Sequence, residues 1–491
     1  VFELSKQSIV YSMKRISTTL FFLLGLTLNI VAENWISRLP DHIFISQLSI
    51  PGTHDAATGN GVQIAMFAQC QDVSVDKQWE AGIRAFDLRP IVKKDHLHIN
   101  HGIAETDLRF DDALFLLRDS LIANPNEFVV IHTLYANNYN EDKDTYVTML
   151  GELLGREDLK DYLVDFRRDL TLGDVRGKML ILSREAYANL PITGGFLQSW
   201  CGHVDWTAQT SCYITGPGTG ADNRSKLYVQ DFSNTKEDDG GITKKIDAVK
   251  KMLDFSTKHT TKDKTAVTWV FNFASSYPGS ISTANGYRGN AAETNAAIIE
   301  YLQTHPAGPT GVILMDYACV DESNNHKTRG QELTDSIIAN NFKWLERINK
   351  EIYDEQMTRI ERLYQRWEDI KALLETDCAD VAAEFTDRLA AAKDSIDAMQ
   401  QEADSLYSNL LLTDGYKGNY TKVLLQLSRL STDIKEAQEE FDNQTDISAT
   451  TKPEKKIAQV YSISGQAVDK ARQGAIYLVE YTDGTVGKLR L

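Results

Sequence analysis

The sequence predicts an α/β fold: a distorted (β/α)8 TIM-like barrel, followed by a long helical hairpin or coiled-coil region and a small C-terminal β unit. Three observations support this prediction. The length of 491 residues exceeds one typical domain. Short apolar runs alternate with amphipathic windows from residue 44 to residue 317, the pattern of repeated βα units. Long helical windows follow, with no glycine or proline between residues 342 and 410.

Eight apolar runs are the candidate barrel strands. They are FISQLSI (44–50), GIRAFDL (82–88), LHIN (97–100), EFVVIHTL (127–134), KMLILS (178–183), KLYVQDF (226–232), AVTWVFNF (266–273) and GVILMDY (311–317). The third run follows the second too closely for a crossover helix, so we expect the barrel to be distorted.

Composition bounds the function. Hydrophobic residues make up 42% of the chain and charged residues 25%, close to globular averages. The formal net charge of −17 would repel a polyanion, and it therefore argues against binding of nucleic acid. The five cysteines lack the spacing of a zinc site. Cys201 and Cys212 are close enough in sequence to form a disulfide in an exported protein.

The N-terminal region reads as an export signal. Residues 13–32, MKRISTTLFFLLGLTLNIVA, combine two cations, a short apolar stretch and a final small residue. We therefore set residues 1–32 aside as upstream sequence and signal peptide, with a membrane anchor as the alternative, and expect a secreted or cell-surface protein. A periplasmic location stays open.

Three further segments follow the signal. We expect the barrel at 34–341, the helical region at 342–441, and a linker with a β unit at 442–491. The polar, glycine-containing stretch 411–420 is the expected turn between helices. The apolar stripes of the helical region are typical of a bundle or coiled-coil core, so we assign them no catalytic or ligand-binding role. Self-association through these stripes stays open.

Polar side chains follow almost every candidate strand. Since catalytic groups of a parallel barrel come from the C-terminal ends of its strands, these side chains are candidates for one site. They are His54 and Asp55 after the first run, Asp87 and Arg89 at the second, His101 after the third, Arg184 after the fifth, Asp231 in the sixth and Asp316 in the eighth.

This set fits phosphodiester cleavage by acid and base. One histidine would remove a proton from the attacking hydroxyl and the other would protonate the departing alkoxide. Carboxylates would orient the imidazoles, and the arginine fork would bind the phosphoryl oxygens. His96, His98 and His132 are expected to be structural, with His132 the strongest exception.

The motifs SIPGTHD, GIRAFDLR, NHG, GKMLILSRE, YVQDF and GVILMDY occur in this order between residues 34 and 341. The series resembles the X domain of bacterial phosphatidylinositol-specific phospholipase C. That family implies attack by the inositol 2-hydroxyl on phosphorus, giving a cyclic inositol phosphate and diacylglycerol. The roles that the resemblance implies are general base for His54, its orientation by Asp316, general acid for His101 with Asp55 nearby, phosphate binding for Arg89, and support for the site by Asp87.

The resemblance also bears on metal and substrate. Calcium-dependent relatives carry a carboxylate where Arg89 stands, and a guanidinium there would do the work of the cation, so we expect neither metal nor cofactor. Arg184 and Asp231 match the residues that bind the inositol ring. An aromatic residue of the family is replaced by Ser233, and the lysine at the end of the fourth strand is missing, with His132 near its place. Glycosylated phosphatidylinositol anchors therefore stay open as substrates.

Other readings stay open. A glycerophosphodiesterase or sphingomyelinase D of the same architecture would need metal-binding carboxylates, which Arg89 argues against. A retaining glycosidase needs a carboxylate pair and no paired histidines. A non-catalytic surface binding protein is disfavoured by the intact set of polar residues. The expected partner is phosphatidylinositol or a related inositol phospholipid at a membrane surface, with transient membrane contact and no nucleic acid.

Two more expectations concern the surface and the C-terminus. We expect the segment from Glu185 to Ser225 to be a membrane-facing loop, because it carries Trp200 and Trp206, with packing into a small satellite core as the alternative. The pattern VYSISGQ, GAIYLVEY and GKLRL resembles the C-terminal sorting domain of type IX secretion cargo.

Overall fold

In the computed structural model, the chain divides into two units that meet in sequence at Phe342 and Lys343. The structure describes residues 34–136, 143–185, 193–200, 212–217, 223–233, 235, 241–259, 268–277, 286–412, 416, 418–445, 456–468 and 476–490. The predicted signal peptide lies outside these residues.

The described residues contain fifteen strands. They are β1 (Ser49–Thr53), β2 (Ala85–Leu88), β3 (Pro90–Lys93), β4 (His96–His101), β5 (Ala104–Arg109), β6 (Val129–Thr133), β7 (Met179–Ser183), β8 (Gly195–Gln198), β9 (Cys212–Thr215), β10 (Arg224–Gln230), β11 (Thr268–Phe273), β12 (Gly311–Met315), β13 (Ile457–Ser462), β14 (Ile476–Tyr481) and β15 (Val486–Arg490).

The same residues contain ten α-helices. They are α1 (Ala65–Ala68), α2 (Val75–Glu80), α3 (Phe110–Ala123), α4 (Lys143–Leu154), α5 (Leu172–Val175), α6 (Gly241–His259), α7 (Tyr287–Thr304), α8 (Gly330–Glu375), α9 (Ala382–Ser408) and α10 (Tyr420–Thr445).

The first unit is built on a closed barrel. Its strand order is β1-β12-β11-β10-β9-β8-β7-β6-β2, and β2 pairs with β1 to close it. Every residue of β1, β6, β7 and β12 is buried, because the strands are covered on both faces. This is why β6, β7 and β12 appear in the sequence as largely apolar runs. β1 has the sequence SIPGT, and it overlaps the predicted first run only at Ser49 and Ile50. The predicted barrel is confirmed, but its strand count is nine rather than eight.

The count differs at two places. The predicted third strand, LHIN, lies in β4, which belongs to a separate antiparallel sheet of β3, β4 and β5. The segment expected to be a membrane-facing loop instead contributes β8 and β9 to the barrel, and β9 pairs antiparallel to both of its neighbours. That expectation is therefore wrong for the described part of the segment. Cys212 begins β9 and is disulfide-bonded, whereas Cys201, its expected partner, lies outside the described residues.

The second unit contains helices and a small sheet. Tyr353 of α8 donates a hydrogen bond to Asp404 of α9, and Trp367 donates to the carbonyl oxygen of Leu389. Because later residues of α8 meet earlier residues of α9, these helices are antiparallel. Strands β13, β14 and β15 form an antiparallel sheet. In the part of the chain that the structure describes, no helix combines the length and the apolar character needed to cross a membrane.

Candidate active site

His54 and Asp316 meet because their strands are neighbours. Thr53 at the end of β1 pairs in register with Met315 at the end of β12. The residues that follow these strands, His54 and Asp316, therefore lie at the same rim of the barrel. Nδ1 of His54 donates a hydrogen bond of 2.8 Å to Asp316. This contact places the ring proton on Nδ1 and leaves Nε2 as the basic nitrogen. Burial lowers the pKa of His54, but the charges of Asp55 and Asp316 outweigh it and the net pKa is raised.

The backbone beyond both strands is strained. Asp55 has φ 42° and Tyr317, directly after Asp316, has φ 51°. Non-glycine residues rarely occupy this left-handed region, and they do so where the surroundings enforce it. Gln71 provides one such restraint, since its Nε2 donates to the carbonyl oxygens of both His54 and Met315. The turns that aim the two acids are thereby tied together.

His101 arrives from outside the barrel. It ends β4, and its Nδ1 donates a 2.7 Å hydrogen bond to the carbonyl oxygen of Ala68. Its Nε2 therefore faces the site, 3.4 Å from Oδ2 of Asp55. Nε2 of His54 lies 3.2 Å from the same oxygen. One carboxylate oxygen thus stands between the reactive nitrogens of both histidines.

Arg89 and the acids beside it form a charged cluster. Its guanidinium contacts Asp87 at 2.6 Å through one Nη, and its Nε lies 3.3 Å from Oδ1 of Asp55. Burial disfavours the charge of Asp87, but Arg89 and His132 outweigh it and hold the pKa well below the usual range. The two acids likewise overcome the burial of Arg89 and raise its pKa. The cluster keeps a permanent cation at the pocket wall.

Arg184 occupies the other side of the pocket. Its guanidinium lies over the Trp200 ring, with Cζ 3.6 Å from the ring centroid, and an Nη is 3.5 Å from Asp231. The indole Nε1 of Trp200 also donates to Asp231, at 3.3 Å. Burial lowers the pKa of Arg184 to about 10, so this group still carries its charge at neutral pH. The arrangement offers donors and acceptors to a polyhydroxylated ring.

The site is a cavity of about 400 Å³. Of the side chains predicted from sequence, five line it and the carboxylates of Asp55, Asp87 and Asp316 lie buried behind them. The lining residues are His54, Arg89, His101, Arg184, Asp231, Ser233, Ser275, Ser276, Tyr277 and Tyr287. The structure therefore brings all the predicted site residues together, whereas their individual roles stay predictions.

Sequence reasoning missed several residues of this site. Trp200 was expected at a membrane surface, yet it packs on Arg184 and His132. Tyr277 and Tyr287 supply aromatic walls, although Ser233 replaces the aromatic residue of the resembling family. Tyr277 follows β11 and Tyr287 begins α7. The sequence pattern marks neither tyrosine as the end of a strand, so neither was predicted for the site. Only closure of the barrel places them beside His101.

A cation site at the same place is electrostatically disfavoured. Ligand atoms of His54, Asp55 and Cys70 lie within 4.8 Å of one another. Burial and the nearby Asp316 raise the pKa of the Cys70 thiol well above its usual value. The guanidinium of Arg89 also contacts Asp55, which places a fixed positive charge beside any bound ion.

Known proteins resemble this chain over its first unit. No protein-family model matches the chain. A 1-phosphatidylinositol phosphodiesterase of Listeria monocytogenes is 34% identical over 165 residues, which cover 32% of this chain and half of the relative. One of Staphylococcus aureus is 27% identical over 300 residues, which cover 58% of this chain and 88% of the relative.

Solved structures give the same relation. Two structures of the phosphatidylinositol-specific phospholipase C of S. aureus align with TM-scores of 0.52 and 0.53 at 22% identity, covering 63% of this chain and 98% of theirs. At this level of identity the likeness establishes the fold. The barrel therefore has the fold of the bacterial phosphatidylinositol-specific phospholipases C, and its sequence is homologous to theirs.

Proposed function

We propose that the chain is a phosphatidylinositol-specific phospholipase C that needs no metal ion. One observation carries the proposal: the Nε2 atoms of His54 and His101 lie 3.2 and 3.4 Å from the same oxygen of Asp55, while Arg89 contacts the other oxygen of that carboxylate. A base, an acid and a phosphate-binding cation thereby face one cavity. The names of the relatives support the same substrate.

The proposed reaction proceeds in one displacement. Nε2 of His54 accepts the proton of the inositol 2-hydroxyl as its oxygen bonds to phosphorus. The bond from phosphorus to the glycerol oxygen breaks, and Nε2 of His101 protonates that oxygen, so that diacylglycerol leaves and a cyclic inositol phosphate remains. Because Ala68 already accepts the Nδ1 proton of His101, the form that donates from Nε2 is the doubly protonated ring, and Nε2 lies 3.4 Å from Oδ2 of Asp55.

Arg89 supports metal independence. The charge that develops on the phosphoryl oxygens needs a fixed cation, and a guanidinium with a raised pKa supplies one at every accessible pH. Two carboxylates already hold this guanidinium, so it meets the transition state without reorganising. A calcium ion at the same position would compete with it.

Arg184 and Asp231 are the proposed ring-binding pair. A guanidinium donates to hydroxyl oxygens and a carboxylate accepts from hydroxyl protons, so together they can hold neighbouring hydroxyls of inositol. Tyr277 and Tyr287, whose ring centroids are 6.2 Å apart, form an apolar wall for the ring. Glycosylated phosphatidylinositol stays an alternative substrate.

We propose that docking to lipid uses the surface around α1 rather than the Trp200 segment. Met66 is 81% exposed, Phe67 37% and Ile64 52%, and Ile103, which lies two residues after His101, is 59% exposed. The backbone N–H of Gln63 donates to the carbonyl oxygen of Glu105. This bond brings Ile64 and the residues of α1 close to the turn that carries Ile103. The carbonyl oxygen of Ala68 in α1 accepts from His101, and an apolar surface beside that histidine suits a substrate held in a bilayer. Insertion must drive docking because the net charge is −17.

An assay in chelator tests the function. Vesicles of phosphatidylinositol should release diacylglycerol and a cyclic inositol phosphate in EDTA, while glycerophosphodiesters should not be cleaved. Cleavage only after addition of calcium or magnesium would favour the glycerophosphodiesterase alternative. Binding to vesicles without any cleavage would favour the non-catalytic surface protein.

We further propose that the chain is exported and that its C-terminal segment acts in sorting. The signal-like residues 13–32 and the resemblance of the C-terminal strands to a type IX sorting domain support this proposal, with 342–441 as a helical spacer. Expression in a bacterium with a type IX system, with and without residues 456–491, tests it by the amount of protein at the cell surface. Equal surface amounts would contradict the sorting role.

A further inference from the structure

His132 is a buried histidine between the two arginines of the site. It lies in β6, pairs in register with Asp87 of β2, and is 1% exposed. Its Nδ1 is 2.8 Å from Oδ1 of Asp87, and its Nε2 is 3.0 Å from Nε of Arg184. The ring thus contacts the acid that holds Arg89 and the arginine proposed to bind inositol.

The direction of these hydrogen bonds follows from the partners. Arg184 has only N–H donors, so Nε2 of His132 must accept. Asp87 is ionised and can only accept, so Nδ1 must carry the proton. Burial is the main cause that lowers the pKa of His132 to about 4, and the nearby Arg184 lowers it further against the opposing charge of Asp87. The ring is therefore a neutral donor and acceptor at physiological pH.

Each hydrogen bond fixes one part of the cavity wall. Arg184 has one face on Trp200, and the bond to His132 sets the rotation of its guanidinium within that stack. Asp87 accepts from His132 on Oδ1 while Arg89 holds Oδ2 at 2.6 Å. The carboxylate therefore cannot turn away from Arg89 without losing the bond to His132.

We propose that His132 is a positioning residue that, as a neutral Nδ1-protonated imidazole, orients the ring-binding Arg184 and the phosphate-binding Arg89 together. The inference deepens the proposed function and rests on it. A cationic side chain at this position would still donate to Asp87 but would oppose Arg184. A purely apolar one would remove one hydrogen bond from Arg184 and one from Asp87, the acid that holds Arg89. Neutrality is thus a requirement of the site rather than a consequence of burial alone.

Two substitutions separate the two bonds. His132→Asn keeps an N–H near Nδ1 but offers no acceptor to Arg184, whereas His132→Gln can place an oxygen near Nε2 but leaves Asp87 without its donor. With a soluble cyclic inositol phosphate as substrate, we expect H132N to raise KM about tenfold with kcat nearly unchanged, because ring binding is weakened. We expect H132Q to lower kcat about tenfold with a smaller change in KM, because Arg89 acts on the transition state.

A matched control is His98→Asn. His98 is a half-buried histidine of β4 whose Nε2 bonds to the carbonyl oxygen of Thr106. It lies outside the cavity, so this variant should keep both kinetic parameters while reporting the cost of removing a structural histidine. Thermal unfolding of all three variants shows whether a kinetic change comes from loss of the fold or from displaced arginine side chains in a folded protein. Equal changes of KM and kcat in H132N and H132Q would overturn the positioning role.

A further experiment does not require the protein to cleave a substrate. Nitrogen-15 NMR of histidine-labelled full-length protein at neutral pH, with the H132N variant to assign the signal, reports which ring nitrogen carries the proton. An Nδ1-protonated neutral ring is expected. An Nε2-protonated or doubly protonated ring would overturn the inference even if the chain is an active phospholipase. If the chain does not cleave phosphatidylinositol, the proposed function fails while the tautomer result still stands on its own.

Discussion

The two histidines of the site have different supports. His54 follows a central barrel strand and is bonded to a buried carboxylate from the neighbouring strand. His101 ends a strand of a separate antiparallel sheet and is bonded to the backbone carbonyl of Ala68, the buried last residue of α1, whose other three residues are exposed. A charged partner raises the basicity of an imidazole, whereas a neutral carbonyl only orients it. This difference supports the proposed assignment of the base to His54 and of the acid to His101.

The largest expected effects come from removing either ring. His54→Ala and His101→Ala should each lower cleavage of phosphatidylinositol by roughly 10²–10⁴-fold, since each ring carries a proton in the transition state. Thermal unfolding midpoints should stay close to native, because both rings line the cavity. A loss below about a hundredfold for either variant would remove that histidine from its role.

Arg89 contacts the Asp55 carboxylate that also lies beside both histidines, so we expect its replacement to be nearly as severe. Arg89→Asp should lower kcat by roughly 10²–10³-fold and is expected to create a response to added calcium, because an acid then stands where the cation stood. Arg109→Asp, at an exposed arginine paired with Asp111, is the control. Strong inhibition of the native protein by EDTA would refute the metal-independent mechanism.

In the proposed mechanism, Asp316 distinguishes the base, His54, from the acid, His101, because it is bonded to His54 alone of the two rings. The base must be unprotonated to act, so kcat/KM falls as the pH drops below the pKa of His54. Because this pKa is raised, we expect the fall to occur at a higher pH than for a histidine of ordinary pKa. Asp316→Asn removes one of the charges that raise this pKa, so the fall should move to lower pH. The rate at the plateau should fall by about tenfold to a hundredfold as the ring loses its orienting partner. A fall at unchanged pH would mean that another group titrates.

The smallest effect concerns the surface beside His101. Met66→Ser combined with Phe67→Ser should weaken vesicle binding and lower hydrolysis of lipid by about tenfold, because less apolar surface enters the bilayer. Hydrolysis of a soluble cyclic inositol phosphate should be unchanged. Ile122→Ser, which changes a residue of α3 that is 53% exposed, serves as the control for loss of a surface hydrophobe.

Trp200→Ala sharpens the same test. Because Trp200 stacks on Arg184 within the site, its removal should impair the lipid and the soluble substrate together. A loss confined to lipid would restore the membrane role that the sequence suggested for this residue.

The sequence indicated the strands that are buried on both faces and the polar residues at their ends. Continuous apolar runs marked the parallel strands, because strands covered on both faces need no polar alternation. The polar residues directly after those runs marked the rim, so His54, Arg184, Asp231 and Asp316 could be named without coordinates. Asp55, Asp87, Arg89 and His101 were named from the same strand ends, and the motif series contains all eight residues.

Only the tertiary structure decided how these parts meet. The run 97–100 has strand character in any setting, and only its antiparallel pairing with β3 and β5 removes it from the barrel. The residues of β8 and β9 read as a loop because each strand is four residues long, too short for a periodic signal. Trp200 and His132 entered the site through partners far away in sequence. Sequence periodicity indicates which side of a helix or strand is buried. Which residues pack against that side depends on how the barrel closes.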